Sequence, residues 1–298
     1  MNYRGRFAPS PTGALHFGSL VAAVASWLRA RAQDGAWIIR IEDLDPPREV
    51  PGASADILAT LGACGMESDE PVIYQSRREP AYRQAFERLR AARAIFPCWC
   101  SRSDLAAHGG AHRGACIAAA DPQREPAWRV RVPARTIAFT DAIYGARTQD
   151  LRAGAGDFVV RRVEGWYAYH LAVVVDDAAQ SITEVVRGAD LLESAPRQIY
   201  LQELLDLPTP AYLHVPLALD DEGRKLSKQD RARPVDRADP LAALRAALAF
   251  LGMDEVVVGT AATPQSMLQA AIPHFDLARL AGIARSAGSA GIASAETV

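Results

Sequence analysis

The chain has 298 residues, with 33 Lys and Arg against 35 Asp and Glu, a net charge of -2, and 49% hydrophobic residues. That is enough chain for a sizeable core in one or two domains. The balanced charge excludes a protein held to nucleic acid or to an anionic membrane by bulk electrostatics, so any such contact must come from local patches. No apolar run is long enough to span a bilayer. Residues 1–4 run straight into a strand-like segment and leave no room for a signal peptide, so a cytoplasmic protein is expected.

The first predicted element is a short apolar strand ending near Phe7. Pro9 and Pro11 stop it and forbid an early helix, because proline lacks an N–H and restricts its predecessor. Gly13 offers backbone angles closed to other residues. An alanine-rich helix is predicted over residues 20–32, with His16-Phe17-Gly18 where it begins. A helix start has free N–H groups and the positive end of a dipole, which suits phosphate. Gly18 has no side chain, so a flat base has room against the backbone, with His16 beside the phosphates. Taken alone, a Pro-Gly turn between strand and helix is common in α/β proteins.

Residues 36–41 read as a second strand, closed by the acidic run Glu42-Asp43-Leu44-Asp45. A helix over 53–61, a short strand over 71–74 and a helix over 80–94 follow, the last with Tyr82, Phe86 and Leu89 on one face. This alternation predicts a parallel sheet with helices on both faces. Ligands on such sheets sit at the C-terminal ends of strands, where the Pro-Ser-Pro-Thr-Gly loop and Glu42 fall.

The rhythm breaks at Phe96. From there to about Pro126 the chain is rich in Gly, Ala and Cys, and half-buried antiparallel strands are predicted at 128–132, 136–139 and 158–162. Residues 96–164 therefore read as an insertion. It carries Cys98-x-Cys100 and His112-x-x-x-Cys116, four soft or borderline ligands that match a closed structural zinc site, with His108 a rival to His112. Three clustered cysteines and a lone Cys64 suit a reducing compartment better than disulfides. The α/β pattern returns at 167–175, 183–186, a helix at 195–205 and a strand at 214–219. Asp239-Pro240 opens a helix to Leu251, followed by helical pieces at 266–271 and 276–283. Residues 284–298 have almost no large apolar groups and are expected to be a disordered tail. The expected division is a catalytic domain over 1–238, with its insertion, and a helical region over 239–283.

Two stretches far apart resemble one family. Arg6-Phe7-Ala8-Pro9-Ser10-Pro11-Thr12-Gly13-Ala14-Leu15-His16-Phe17-Gly18 and Lys225-Leu226-Ser227-Lys228-Gln229 look like the paired HIGH-type and KMSKS-type signatures of class I aminoacyl-tRNA synthetases, in the glutamyl and glutaminyl branch. The resemblance implies a Rossmann-type parallel sheet with a zinc-containing insertion. It implies catalysis by His16, Gly18, Lys225, Ser227 and Lys228, and ATP binding by His16, Gly18, Ser19 and Lys228, with Mg2+. Ser19 stands where the family has a second histidine. The resemblance also implies a glutamate pocket of Arg6, Phe7, Ala8, Pro9, Ser10, Glu42, Tyr169 and Arg187. Glu42 would pair with the substrate ammonium, and Arg6 and Arg187 with a carboxylate.

In that family a large anticodon-binding region follows the second signature, whereas here only some fifty structured residues are expected after it. This resembles the branch's truncated paralogues, whose acceptor is queuosine in tRNA(Asp), and a monomer is expected. The alternatives are charging of a tRNA 3′ end, nucleotidylyl transfer, and an inactive tRNA-binding module.

Overall fold

The computed structural model describes residues 2–217, 234–253 and 261–291, with side chains to residue 285. Strand β1 (Arg4–Phe7), helix α1 (Phe17–Arg31) and strand β2 (Ala36–Ile41) form the first unit. The strands are parallel, with Arg4 opposite Ala36 and Phe7 opposite Ile39. Both are buried along nearly their whole length, which is why β2 reads as a nearly continuous apolar run without alternation, whereas β1 carries Arg6 as a buried charge. Helix α2 (Ala53–Ala63) leads to β3 (Ile73–Tyr74), parallel to β2, and α3 (Glu79–Ala91) follows.

The middle of the chain holds β4 (Ile95–Cys98), α4 (Arg102–Ala106), β5 (Ala127–Val130), β6 (Thr136–Asp141), β7 (Gly145–Asp150), α5 (Leu151–Gly154) and β8 (Val159–Arg161). Strands β4, β5 and β8 make an antiparallel sheet. The hairpin of β6 and β7 leaves that sheet. The segment expected to be one insertion is thus divided between two sheets.

The α/β rhythm resumes with α6 (Tyr169–Ala179), β9 (Glu184–Gly188), α7 (Ala195–Leu204) and β10 (Ala211–Val215). Strand β10 is parallel to β9 on one side and to β6 on the other, giving the order β7-β6-β10-β9. The strand expected at 214–219 is β10, which begins earlier, at Ala211, and ends at Val215. The two parallel units meet where the Thr183 N–H donates to the Arg4 carbonyl (3.0 Å) and the Arg4 N–H to the Thr183 hydroxyl (2.9 Å).

Helices α8 (Pro240–Phe250), α9 (Pro264–Ala271) and α10 (Leu277–Gly291) close the chain. Asp239 caps α8 as predicted, its carboxylate accepting from the Ala242 N–H, with Pro240 in the first turn. Leu244, Leu248, Met267 and Leu280 share one core with Leu20, Val24 and Leu28 of α1. Helix α1 is therefore covered by sheet on one side and helices on another, so it is apolar nearly all round. A second core packs α3, α6 and α7 around Tyr82, Phe86, Leu171 and Leu201.

Candidate active site and metal centre

The loop after β1 is pinned before it reaches α1. The Glu42 N–H donates to the Pro9 carbonyl (2.9 Å) and the Val50 N–H to the Pro11 carbonyl (2.9 Å). Gly13 has φ +150°, which glycine adopts without strain. His16 caps α1: the Ser19 N–H donates to Nδ1 (3.2 Å), and Ser19 Oγ lies 3.0 Å from Nε2. An Nδ1 that accepts puts the proton of a neutral ring on Nε2, facing Ser19 Oγ. The Ser19 hydroxyl hydrogen is then available to a further acceptor. A methyl group at Gly18 would meet nothing closer than His16 Nδ1 at 3.5 Å, so packing within the protein does not demand glycine there.

The C-terminal ends of β1, β2, β9 and β10 surround a cavity of about 500 Å³. Arg6, Phe7, Ala8, Pro9, Ser10, His16, Gly18, Ser19, Glu42, Tyr169 and Arg187 all line it. The structure thus brings together every candidate substrate and nucleotide residue of the first signature and of the later strands. Lys225, Ser227 and Lys228 lie outside the described residues. The chain leaves β10 along the cavity at Pro216 and Leu217, and at Pro234 it bridges to His16, with the Val235 N–H donating to the Leu15 carbonyl (2.8 Å).

Beneath the cavity lies a buried ionic network. Asp177 accepts from Arg6 Nε (3.1 Å) and pairs with Arg40 Nη1 (2.9 Å), and Arg40 Nη2 donates to Glu42 (3.1 Å). Burial alone would raise the Asp177 carboxyl, but Arg6 and Arg40 outweigh it and hold it below the usual range. For Glu42 burial wins over Arg40 and Arg6, and its pKa is raised. A buried carboxylate in that condition gains from an added cation.

Arg187 is held differently. Nε–H donates to His214 Nε2 (2.9 Å), Nη1–H to Gln198 Oε1 (2.8 Å) and, more weakly, to the Tyr169 hydroxyl (3.4 Å), and Nη2–H to the Leu191 carbonyl (3.2 Å). None of these acceptors is a carboxylate. Burial raises the Tyr169 phenol, so it stays protonated. Arg6 is charge-balanced by Asp177, and Arg187 faces the cavity with only neutral partners among the described residues.

In the β4 region the ligand atoms of Cys98, Cys100, His112 and Cys116 lie within 4.8 Å of one another, a cluster able to bind a metal. His112 Nδ1 lies 2.7 Å from Asp157 Oδ2, and its buried Nε2 has no hydrogen-bond partner among the described residues. A carboxylate behind a histidine whose other nitrogen is unpartnered is the arrangement of a metal ligand. The Ile117 N–H (3.2 Å) and Arg129 Nε–H (3.3 Å) point at the sulfurs of Cys100 and Cys98, as donors to thiolates do. His108 is exposed and bonded to the Asp104 carbonyl, which decides between the two histidines.

Sequence reasoning missed Arg40, Asp177, Gln198 and Asp157. Asp176-Asp177 could have been flagged, since two acids end an apolar helical run. Asp157 carries no local signal, because its partner His112 is distant in sequence.

This architecture defines a class I synthetase core. The family model for the catalytic domain of class I tRNA synthetases (E and Q) matches residues 2–256, and the chain belongs to that family. Among its relatives are the glutamyl-Q tRNA(Asp) synthetases of Xanthomonas campestris pv. campestris and Burkholderia cenocepacia. The first is 55% identical over 283 residues, 95% of this chain and 94% of the relative. The second is 56% identical over 263 residues, 84% and 88% of the two chains. A glutamate tRNA ligase from Elizabethkingia meningosepticum, solved with its amino acid, superposes with a TM-score of 0.77 at 25% identity, over 96% of this chain and 69% of that one.

Proposed function

We propose that the chain activates L-glutamate with ATP and transfers it to queuosine at the wobble position of tRNA(Asp). In the first step a glutamate α-carboxylate oxygen attacks the ATP α-phosphorus and pyrophosphate leaves. In the second a hydroxyl of the queuosine cis-diol attacks the adenylate carbonyl, an ester forms, AMP departs and the hydroxyl proton is lost. Relatives with that name, matched over nearly their full length, support the acceptor.

The observation that carries the amino acid is Arg187, a buried guanidinium with only neutral partners on a cavity that also holds Glu42. Glu42 takes the substrate ammonium, Arg187 with Arg6 the side-chain carboxylate, and Tyr169 with Phe7, Ala8, Pro9 and Ser10 the pocket wall. An amide in place of the carboxylate would leave the Arg187 charge uncompensated, so glutamine is disfavoured. The start of α1, with His16, Gly18 and Ser19, faces the phosphates of the Mg2+-bound nucleotide.

Lys225, Ser227 and Lys228 complete the phosphate site. The two lysines are the only ones in the chain, every other Lys or Arg position being arginine. The described residues on either side of this segment, Leu217 and Pro234, border the cavity and His16. The protein is expected to act as a monomer in the cytoplasm, where its free thiols stay reduced.

The test uses radiolabelled glutamate with tRNA(Asp) containing queuosine, the same tRNA without it, and tRNA(Glu). Label is expected only on the first, with the queuosine diol protected from periodate. Label on tRNA(Glu), or equal label with and without queuosine, would reject this acceptor in favour of a tRNA 3′ end.

The Cys98, Cys100, His112 and Cys116 cluster is proposed to hold zinc, because three thiolates and an imidazole suit that ion. Bound metal would fix the segment that follows β4, where Cys98, Cys100 and Leu105 form a small buried cluster of their own. Elemental analysis of purified protein should find about one zinc per chain, and Cys100→Ser should lower it. Full zinc content after replacement of all three cysteines would sink the assignment.

A further inference from the structure

Arg187 must meet a carboxylate with its plane fixed and its charge free, and side chains outside the cavity supply both conditions. Three adjacent strands carry the residues side by side. His214 on β10 lies opposite Arg187 on β9, and Asp141 ends β6 opposite Tyr212. His214 is 0% exposed and Asp141 1%, and neither lines the cavity.

His214 Nε2 accepts the Arg187 Nε–H bond at 2.9 Å, so that nitrogen carries no proton. The proton of the neutral ring then sits on Nδ1, 2.7 Å from Asp141 Oδ2. Asp141 is itself locked by the backbone. Oδ2 also accepts the His214 N–H (3.1 Å), and Oδ1 accepts the Ile143 (3.0 Å) and Tyr144 (2.9 Å) N–H groups.

We propose that Asp141 and His214 are positioning residues that hold Arg187 in orientation for a substrate carboxylate and so favour glutamate over glutamine. This rests on the function proposed above. The choice of imidazole matters. A carboxylate at that place would orient Arg187 equally well but would neutralise it, whereas a neutral ring accepts the bond and leaves the charge for the ligand. Asp141 selects the tautomer that can accept. Burial, with Arg187 alongside, keeps the ring below its ordinary pKa and hence neutral.

The test pairs kinetics with a direct reading of the ring. In Asp141→Asn the amide nitrogen would donate to Nδ1, moving the ring proton to Nε2, where it opposes the Arg187 N–H. Loss of a hydrogen bond to a charged group predicts a glutamate KM in pyrophosphate exchange raised about tenfold or more, with the glutamate-to-glutamine kcat/KM ratio falling by a similar factor and the ATP KM nearly unchanged. His214→Leu should behave alike. His214→Gln, whose Oε1 can accept from Arg187, should recover most of the selectivity.

Nitrogen NMR of histidine-labelled protein, with the His214 signals assigned by their loss in His214→Gln, should show the Nδ1–H tautomer in the wild type and the Nε2–H tautomer in Asp141→Asn. A wild-type ring that is charged or protonated on Nε2 would overturn the proposal. So would unchanged glutamate KM and selectivity in both Asp141→Asn and His214→Leu, or equal rises in the KM of glutamate and ATP with no recovery by Gln. If the wild type exchanges pyrophosphate with another amino acid instead of glutamate, the functional reading fails, and the tautomer measurement still decides whether the relay exists.

Discussion

Two arginines of the same cavity have opposite electrostatic situations, and this separates their contributions. Arg6 is 3% exposed and neutralises Asp177. Without Arg6, the buried carboxylates Asp177 and Glu42 share Arg40 alone, so Arg6→Gln should destabilise the free protein by about 3 kcal/mol. Among the described residues Arg187 has no carboxylate partner, so Arg187→Gln removes a buried charge as well as its hydrogen bonds, and the two effects offset. Its cost to the free protein should be about 1 kcal/mol or less, while glutamate binding falls most in this variant. Urea unfolding without ligand, and the thermal shift produced by added glutamate, read the two quantities. A larger unfolding penalty for Arg187→Gln than for Arg6→Gln would contradict the charge assignment.

At the scale of elements, the metal cluster depends on a turn. Gly156 has φ +62°, and a Cβ there would collide with the carbonyl oxygen of His112. The same carbonyl accepts the Asp157 N–H (2.7 Å), so Gly156 and Asp157 together set where His112 stands. Gly156→Ala should displace His112 and reduce retained metal to about half or less, with a loss of about 1–3 kcal/mol from the strained backbone. Gly110→Ala is the control. It has φ +78° but nothing within 4 Å of the new methyl, so it carries the backbone strain and should keep its metal. Metal content after dialysis against a chelator distinguishes the two. Helix α10 shows the limit of composition at this scale. It continues to Gly291, past the residue 283 where a tail was expected, because small residues poor in packing include alanine, the best helix former. Residues 292–298 lie outside the described residues.

The whole molecule should lose stability on the acid side of neutrality. Burial, then Arg197 and Arg187, push His170 down to about 3, and burial lowers His214. A group whose folded pKa is depressed contributes stability that is complete above its unfolded value, near 6.5, and is lost as pH falls toward the folded value. Each histidine should therefore cost up to about 1.4 kcal/mol per pH unit below about pH 6.5. Asp177 adds a second decline below the ordinary aspartate range, near 3.9, as its pairs with Arg6 and Arg40 are protonated away. Urea unfolding midpoints between pH 5 and 8 test the first part, and His170→Gln should flatten the slope. A midpoint that does not change with pH below 6.5 would show that neither histidine is held neutral.

Local sequence was enough for the alternation of β1, α1, β2 and α2, the cap of α8, the cavity-lining residues of the first signature and the three cysteines of the metal cluster. These are written in local order: periodicity, prolines, and ligands spaced within one segment. Strand β7 was not legible, because it is an edge strand of mostly exposed polar residues, Gly145-Ala146-Arg147-Thr148-Gln149-Asp150, with no face to alternate. The partition of the middle segment was not legible either, since the pairing of β6 with β10 joins Asp141 to Tyr212 across a long stretch of chain. It took the assembled fold to put His112 and not His108 against the thiols, to pair Arg6 with Asp177 while Arg187 keeps neutral partners among the described residues, and to stand Asp141 and His214 behind Arg187. Each of these depends on which charges and N–H groups become neighbours once distant strands are aligned, and that proximity leaves no trace in local spacing.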